Sequence, residues 1–323
     1  MSRSISCTLT IRSDDILSKW LKISAATIAT GLTAAVAVSV AAYHGMTHIS
    51  DSEKEKGHHK AVAENTATDN VWYLKQPIQE WRQATPDGLT LRASYIPAAQ
   101  KSQRVVILAH GINHAREQMI PYARLFHDHG FNVLMPDARA QGESDGHRIG
   151  FGWPDRKDYL GWVNKVIDEL GADVKIVLMG FSMGAATVLA AAGEHLPQNV
   201  KAVVADSGFA SIYQMAKTTL RRDYHLPANI IVPIADWLSR WRTGSRLSQE
   251  RVDEQLKRAM VPVLIIHGED DQVVPVKHAK VLYDAIRGPK QSYIVPHAKH
   301  IQAYAHDPER YQQVLADFLA QYL

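Results

Sequence analysis

The chain has 323 residues, 46% hydrophobic and 21% charged, and 36 Lys and Arg face 33 Asp and Glu for a net charge of +3. That balance excludes wholesale disorder and gives no ground for a nucleic-acid partner. Cys7 is the only cysteine, so an intrachain disulfide, a cysteine-based zinc site and an iron–sulfur cluster are all excluded.

From Ile23 to Ser50 there is no Lys, Arg, Asp or Glu. The apolar part, residues 23–42, would rise ~30 Å as a helix, the thickness of a bilayer's hydrocarbon core. Arg3, Arg12, Lys19 and Lys22 precede it, and no Lys or Arg follows until Lys54. Positive-inside logic then predicts a cytoplasmic segment over 1–22, a single-pass anchor over 23–42 and a domain outside the cytoplasm. Ser39-Val40-Ala41 and Val40-Ala41-Ala42 also fit a signal-peptidase site, which leaves secretion after cleavage as the alternative. Residues 43–70 are polar and show no hydrophobic period, so they are expected to form a solvated linker. His44, His48, His58 and His59 fall in it without a spacing that fixes metal geometry.

Residues 71–323 read as one domain, about 250 residues, a size that buries ~75% of the unfolded surface. Trp81 to Ala84 and Leu89 to Tyr95 flank the turn tripeptide Pro86-Asp87-Gly88 and predict a hairpin. Apolar strands then alternate with helices. Val105–Ala109, Asn132–Pro136, Val174–Gly180, Ala202–Asp206, Val263–His267 and Gln291–Val295 read as strands. Glu117–His129, Trp153–Leu170, Ser182–Glu194, Val276–Arg287 and Asp307–Tyr322 read as helices. This is an α/β pattern, a mostly parallel sheet covered on both faces with its site at the strands' carboxyl ends.

Residues 210–260 interrupt the rhythm, too long for one crossover, and are expected to form a small helical lid. Trp237 and Trp241 stand one helical turn apart there. Aromatics at that spacing usually face a core, so the pair is expected to anchor the insert to the body, with a place over the site as the alternative.

Gly180-Phe181-Ser182-Met183-Gly184 is Gly-x-Ser-x-Gly, placed between a strand and an Ala-rich helix. In that context the turn lifts the Ser182 hydroxyl above the sheet, and the helix start offers N–H groups to a developing oxyanion. A serine hydroxyl needs a base. Two later loops leave adjacent strands and can converge on it: His267-Gly268-Glu269-Asp270-Asp271-Gln272-Val273-Val274-Pro275 and Pro296-His297-Ala298-Lys299-His300.

With these residues the chain resembles the α/β-hydrolase family from about residue 80 to the end, and within it the membrane-anchored bacterial branch often called cell-surface hydrolase. The resemblance also rests on His110-Gly111, on Asp137-Ala138-Arg139-Ala140-Gln141-Gly142-Glu143-Ser144 and on the order Ser…Asp…His. It implies Ser182 as nucleophile, Asp271 as acid, His300 as base, and the backbone N–H groups of Ile112 and Met183 as oxyanion hole. Asp206 competes with Asp271, since it also ends a strand, and His297 competes with His300. His110 and His267 read as structural hydrogen-bonders, and Asp137, Arg139 and Ser144 as ties of a loop near the site.

The resemblance implies a serine hydrolase acting on a small-molecule ester or other acyl substrate through an acyl-enzyme, most simply a carboxylesterase. A cell-envelope peptidase or acyltransferase on the same residues is the alternative. A non-catalytic binding protein fits less well, because no member of the triad is missing. No cofactor or metal is implied, and no Gly-rich phosphate loop is present.

Overall fold

Consecutive residues Val105, Val106, Ile107 and Leu108 are all fully buried. Successive strand side chains point to opposite faces, so such a run must be covered on both. Val105 and Ile107 join the apolar layer around Trp162, Val163 and Leu189, while Val106 and Leu108 join the layer around Phe126, Tyr311 and Phe318. In the computed structural model, residue 33 and residues 35–323 are described. The expected cytoplasmic segment 1–22 and most of the expected span 23–42 lie outside them.

Eight strands form one sheet. They are β1 (Gln79–Ala84), β2 (Thr90–Ile96), β3 (Arg104–Ala109), β4 (Asn132–Pro136), β5 (Lys175–Phe181), β6 (Val200–Asp206), β7 (Val263–Gly268) and β8 (Lys290–Val295). Their order is β1-β2-β4-β3-β5-β6-β7-β8. The expected hairpin is β1–β2, paired Trp81 to Ala93, and β2 also runs antiparallel to β4. All other pairs are parallel. From β3 the chain goes to β4 on one side and then to β5 on the other, so the order reverses at the β3–β5 boundary. That boundary is where an open parallel sheet offers a crevice.

Helices α4 (Ile120–Asp128), α11 (Ala303–His306) and α12 (Pro308–Leu319) supply side chains of one apolar layer. Those of the other come from α5 (Asp155–Leu170), α6 (Met183–Ala192), α9 (Val252–Leu256) and α10 (Lys277–Ala285). Between β6 and β7 lie α7 (Ile212–Arg222) and α8 (Ala228–Thr243), with their own apolar seam of Ala216, Leu220, Ile231 and Val232. This insert is narrower than the lid expected over residues 210–260, because Val252 and Leu256 of α9 belong to the main core.

The polar stretch 43–70 is not a linker. Residues 35–47 are helical (α1), followed by α2 (Asp51–Glu64) and α3 (Ala67–Leu74). Ser50 and Glu53 form a reciprocal capping box that starts α2, and Thr66 caps α3. What holds α2 to the body is mostly polar. Asn65 donates to the Glu117 carbonyl at 2.7 Å, His58 contacts the Glu117 carboxylate at 3.1 Å and Lys54 donates to the Ser144 carbonyl at 3.2 Å. A helix docked by such bonds carries no hydrophobic stripe in its sequence. Gly57 sits where a Cβ would come within 3.0 Å of the Asn113 carbonyl oxygen, so α2 lies close on that loop.

The 35–47 helix runs past Ala42, where the expected span ends. Tyr43 packs with Ala235 and Leu238 of α8, and Met46 packs on the α7–α8 seam. Among the described residues no helix is long and apolar enough to cross a membrane.

Trp162 is 1% exposed at the centre of one layer. Trp162→Ala should destabilise the domain by about 3–5 kcal/mol through lost transfer energy and the cavity left behind. Urea denaturation followed by circular dichroism checks this, and a shift below about 1 kcal/mol would show that the layer collapses into the gap.

Candidate active site

Strand β5 ends at Phe181 and α6 begins at Met183, so the whole turn between them is Ser182. Its φ of 54° and ψ of −117° lie where non-glycine residues are strained. The flanking glycines make the turn possible. A Cβ on Gly184 would stand 2.1 Å from the Ala109 carbonyl oxygen, and one on Gly180 would stand 2.4 Å from the Gly184 carbonyl carbon. The α6 terminus therefore touches the end of β3 backbone to backbone. Met183 is the first residue of α6, so its N–H is among those that a helix leaves without an internal partner.

The loop after β8 brings His300 to this turn. Its Nε2 lies 2.9 Å from Ser182 Oγ and its Nδ1 lies 2.7 Å from Asp271 Oδ2. A carboxylate at Nδ1 calls for the proton there, which leaves the Nε2 lone pair to accept the Ser182 O–H. The arrangement is able to take a proton from the hydroxyl and to hold the resulting cation against an anion.

Asp271 is fixed by more than His300. Its Oδ1 accepts the N–H groups of Val273 and Val274, each at 2.8 Å. On the other oxygen, His267 Nε2 lies 3.3 Å away and also bonds the Val274 carbonyl at 2.8 Å. Both neighbours accept, so Nε2 carries the proton, and His267 Nδ1 has no hydrogen-bond partner among the described residues. Burial pushes the Asp271 carboxyl up. Hydrogen bonds from His267 and His300, the His300 charge and the Val274 N–H outweigh it, so the group lies well below the usual carboxylate range.

Residues 104–215 match the family model for the alpha/beta hydrolase fold. The chain is 32% identical over 229 residues to the uncharacterized protein YqkD of Bacillus subtilis, covering 70% of this chain and 74% of that one. It is 28% identical over 241 residues to the uncharacterized protein YfhR of Escherichia coli K12, covering 72% and 77%. The Pyrococcus furiosus esterase Pf2001 superposes with a TM-score of 0.64 at 22% identity, over 78% of this chain and 93% of that one, a likeness of fold. The chain belongs to the α/β-hydrolase family.

Within this α/β hydrolase the competing candidates stand apart. Asp206 is fully buried, and its two oxygens accept Ser207 Oγ at 2.9 Å and Tyr311 Oη at 3.1 Å. Ser207 Oγ in turn accepts the Ile301 N–H at 3.2 Å, so Asp206 braces the loop that carries His300. His297 is exposed and faces Asp270 at 3.6 Å, away from Ser182. His110 is buried. Its Nε2 accepts the Ala138 N–H at 2.9 Å, and Nδ1 lies 2.7 Å from the Gly111 carbonyl. Burial lowers its pKa and keeps the ring neutral. Asp137 accepts the N–H groups of Arg116 and Glu143, Arg139 is clamped by Asp158 and Asp87, and Ser144 donates to the Asp137 carbonyl.

Ser182 opens into a cavity of about 510 Å³, a common size for small-molecule sites. Ile112 and Met183 line it together with Phe209, Ile212 and Met215. Two contributors escaped the sequence reading. Gly45, Met46, Ile49 and Lys56 form a wall from the stretch expected to be a linker. Gln141 Oε1 accepts the Asn113 N–H at 2.6 Å and so shapes the backbone just after Ile112. The one signal for the wall was the Ser50…Glu53 capping box, a helix start without a hydrophobic run behind it. At the rim, the Arg222 guanidinium donates to the Gln272 carbonyl, and to that of Val273 at 3.1 Å, which ties α7 to the Asp271 loop.

Burial raises the Asp206 carboxyl above its ordinary range, against the Ser207 hydrogen bond, the His267 charge and the Tyr311 hydrogen bond. A carboxyl whose folded pKa lies above its unfolded one binds more protons when folded, so stability falls as pH rises through that window. Asp206→Asn removes this titration. As pH rises from ~4, the wild-type melting temperature should decline relative to that of the variant. Scanning calorimetry from pH ~4 upward reads the gap, and a gap that does not change with pH refutes the raised Asp206 pKa.

Proposed function

We propose that this α/β hydrolase is a serine hydrolase that cleaves carboxylic esters, with Ser182 as nucleophile, His300 as general base and acid, and Asp271 as the acid that orients His300. The observation that carries the reading is the continuous chain from Asp271 Oδ2 through His300 to Ser182 Oγ at 2.7 and 2.9 Å, ending at the strained turn.

In the proposed reaction Ser182 Oγ attacks the ester carbonyl carbon as its proton passes to His300 Nε2. The carbonyl oxygen becomes an oxyanion, held by the N–H groups of Met183 and Ile112. The intermediate collapses, the bond to the alkoxy oxygen breaks, and His300 returns the proton to the leaving alcohol. Water then gives its proton to His300 and attacks the acyl-enzyme. The acid leaves, and Ser182 regains its proton. The imidazolium formed twice in each turnover is stabilised by Asp271, whose low pKa keeps it ionised throughout.

The cavity supports an acyl substrate of small-molecule size, since its lining is mostly apolar beside one reactive hydroxyl. Anchoring of the domain outside the cytoplasm by the uncharged segment that begins at Ile23 belongs to the same proposal and rests on the charge asymmetry of the sequence, with Val40 and Ala42, which pack on α7 and α8, left outside the lipid.

Wild type should react with a fluorophosphonate probe and hydrolyse p-nitrophenyl butyrate, and Ser182→Ala should do neither. Loss of kcat should be about 10⁶-fold for Ser182→Ala and about 10⁴-fold for Asp271→Asn, the latter through the wrong imidazole tautomer. Labelling of Ser182→Ala, or full activity of Asp271→Asn, overturns the assignment. Turnover of aminoacyl nitroanilides without any ester turnover would replace the esterase reading with a peptidase.

A further inference from the structure

Helix α8 is apolar on both sides. Ile231, Val232, Ala235 and Leu238 are buried against the body of the lid and the 35–47 helix. On the opposite side Ile230, Pro233, Trp237 and Trp241 recur at spacings of three and four residues. Ile230, Trp237 and Trp241 are 54%, 60% and 78% exposed. At 1.5 Å per residue the stripe is ~16 Å long. The expectation that the two tryptophans anchor the insert to the body is therefore wrong: Leu238 and Ala235 do that, and the indoles point out. A helix facing only water on that side would carry polar residues there. Tyr224, just before α8, is 62% exposed and also lines the cavity above Ser182, so the stripe leads towards the cavity's mouth.

The surface charge around the stripe is mostly positive. Arg221 and Arg222 end α7, Arg240 and Arg242 end α8, and all four are exposed. The acids between residues 210 and 251 are Asp223, Asp236 and Glu250. Asp223 pairs with Arg222, and the other two are buried. A second copy of the chain would bring these arginines against each other, so it suits the face poorly.

The chain's own course points the same way. Val40 and Tyr43 of the 35–47 helix pack on α8, while Val36 and Val38 of that helix are 42% and 41% exposed. Residues 23–34, which precede it, contain no charged side chain. The apolar run thus arrives at the helix that bears the exposed stripe.

We propose that the outer face of α8 docks on an anionic phospholipid bilayer. Ile230, Trp237 and Trp241 enter the boundary between headgroups and acyl chains, where indole rings are favoured, and Arg221, Arg240 and Arg242 meet lipid phosphates. Docking there puts Tyr224, and with it the cavity's mouth, beside the lipid surface. None of this depends on the ester-hydrolase reading.

The test uses the full chain reconstituted by detergent removal into vesicles of phosphatidylcholine with phosphatidylglycerol, part of the phosphatidylcholine being brominated in its acyl chains. Wild-type tryptophan emission should show a quenched component that the Trp237→Ser/Trp241→Ser variant loses, leaving only what other tryptophans, Trp20 among them, contribute. Both positions are exposed, so the variant should melt like wild type and keep its fluorophosphonate labelling. That labelling also separates failure of the docking proposal from failure of the hydrolase reading. Quenching of the variant equal to that of wild type overturns the proposal. So does a wild-type dimer in detergent that the variant abolishes, which would assign the face to a second copy. A quenched component of equal size in phosphatidylcholine alone overturns the role of anionic lipid.

Discussion

The contact on which the site depends is between backbones. Helix α6 starts so close to the end of β3 that no side chain fits between Gly184 and the Ala109 carbonyl. This approach forces the chain to reverse within one residue, and Ser182 takes the conformation that the reversal imposes. Holding a non-glycine residue there costs roughly 1–3 kcal/mol, which the surrounding layers must offset. They are able to: α6 is buried along its whole length, and the strands on either side of β5 are apolar on both faces. The position of the Ser182 hydroxyl is thus a product of core packing, although it lies at the carboxyl end of its strand.

Around that point the other groups are held by bonds that leave little freedom. Asp271 receives two backbone N–H groups from its own loop and faces two imidazoles, so its carboxylate is oriented before any substrate arrives. Asp206, one strand over, never reaches His300. Through Ser207 it steadies the segment on which His300 rides. Two buried acids at the ends of neighbouring strands thus differ in what they do because one meets a ring nitrogen and the other meets hydroxyls.

Much of this was legible in the sequence because it depends on local rules. The β5–Ser182–α6 turn needs glycines at two fixed offsets, and strands buried on both faces must read as unbroken apolar runs. The choice of Asp271 over Asp206 and of His300 over His297 rests on the resemblance to relatives; in the fold, His300 lies between Asp271 and Ser182. Residues 43–70 were not legible. Helix α2 is fastened by Asn65, His58 and Lys54, polar side chains that in a sequence look the same whether they meet protein or water. Trp237 and Trp241 misled for the opposite reason. Helical periodicity says that two residues share a face of α8, and it does not say which face is turned inward. The inner face is filled by the smaller Ala235 and Leu238, which pack against Tyr43 from a part of the chain nearly two hundred residues away.

The wall built from Gly45, Met46 and Ile49 has a mechanical meaning. It continues directly from the 35–47 helix, and that helix is clasped by α8 through Val40 and Tyr43. A shift or tilt imposed on the chain ahead of residue 35 is therefore carried by a stiff rod into the roof above Ser182. The space offered to a substrate is set jointly by the folded body and by whatever grips the chain's leading end.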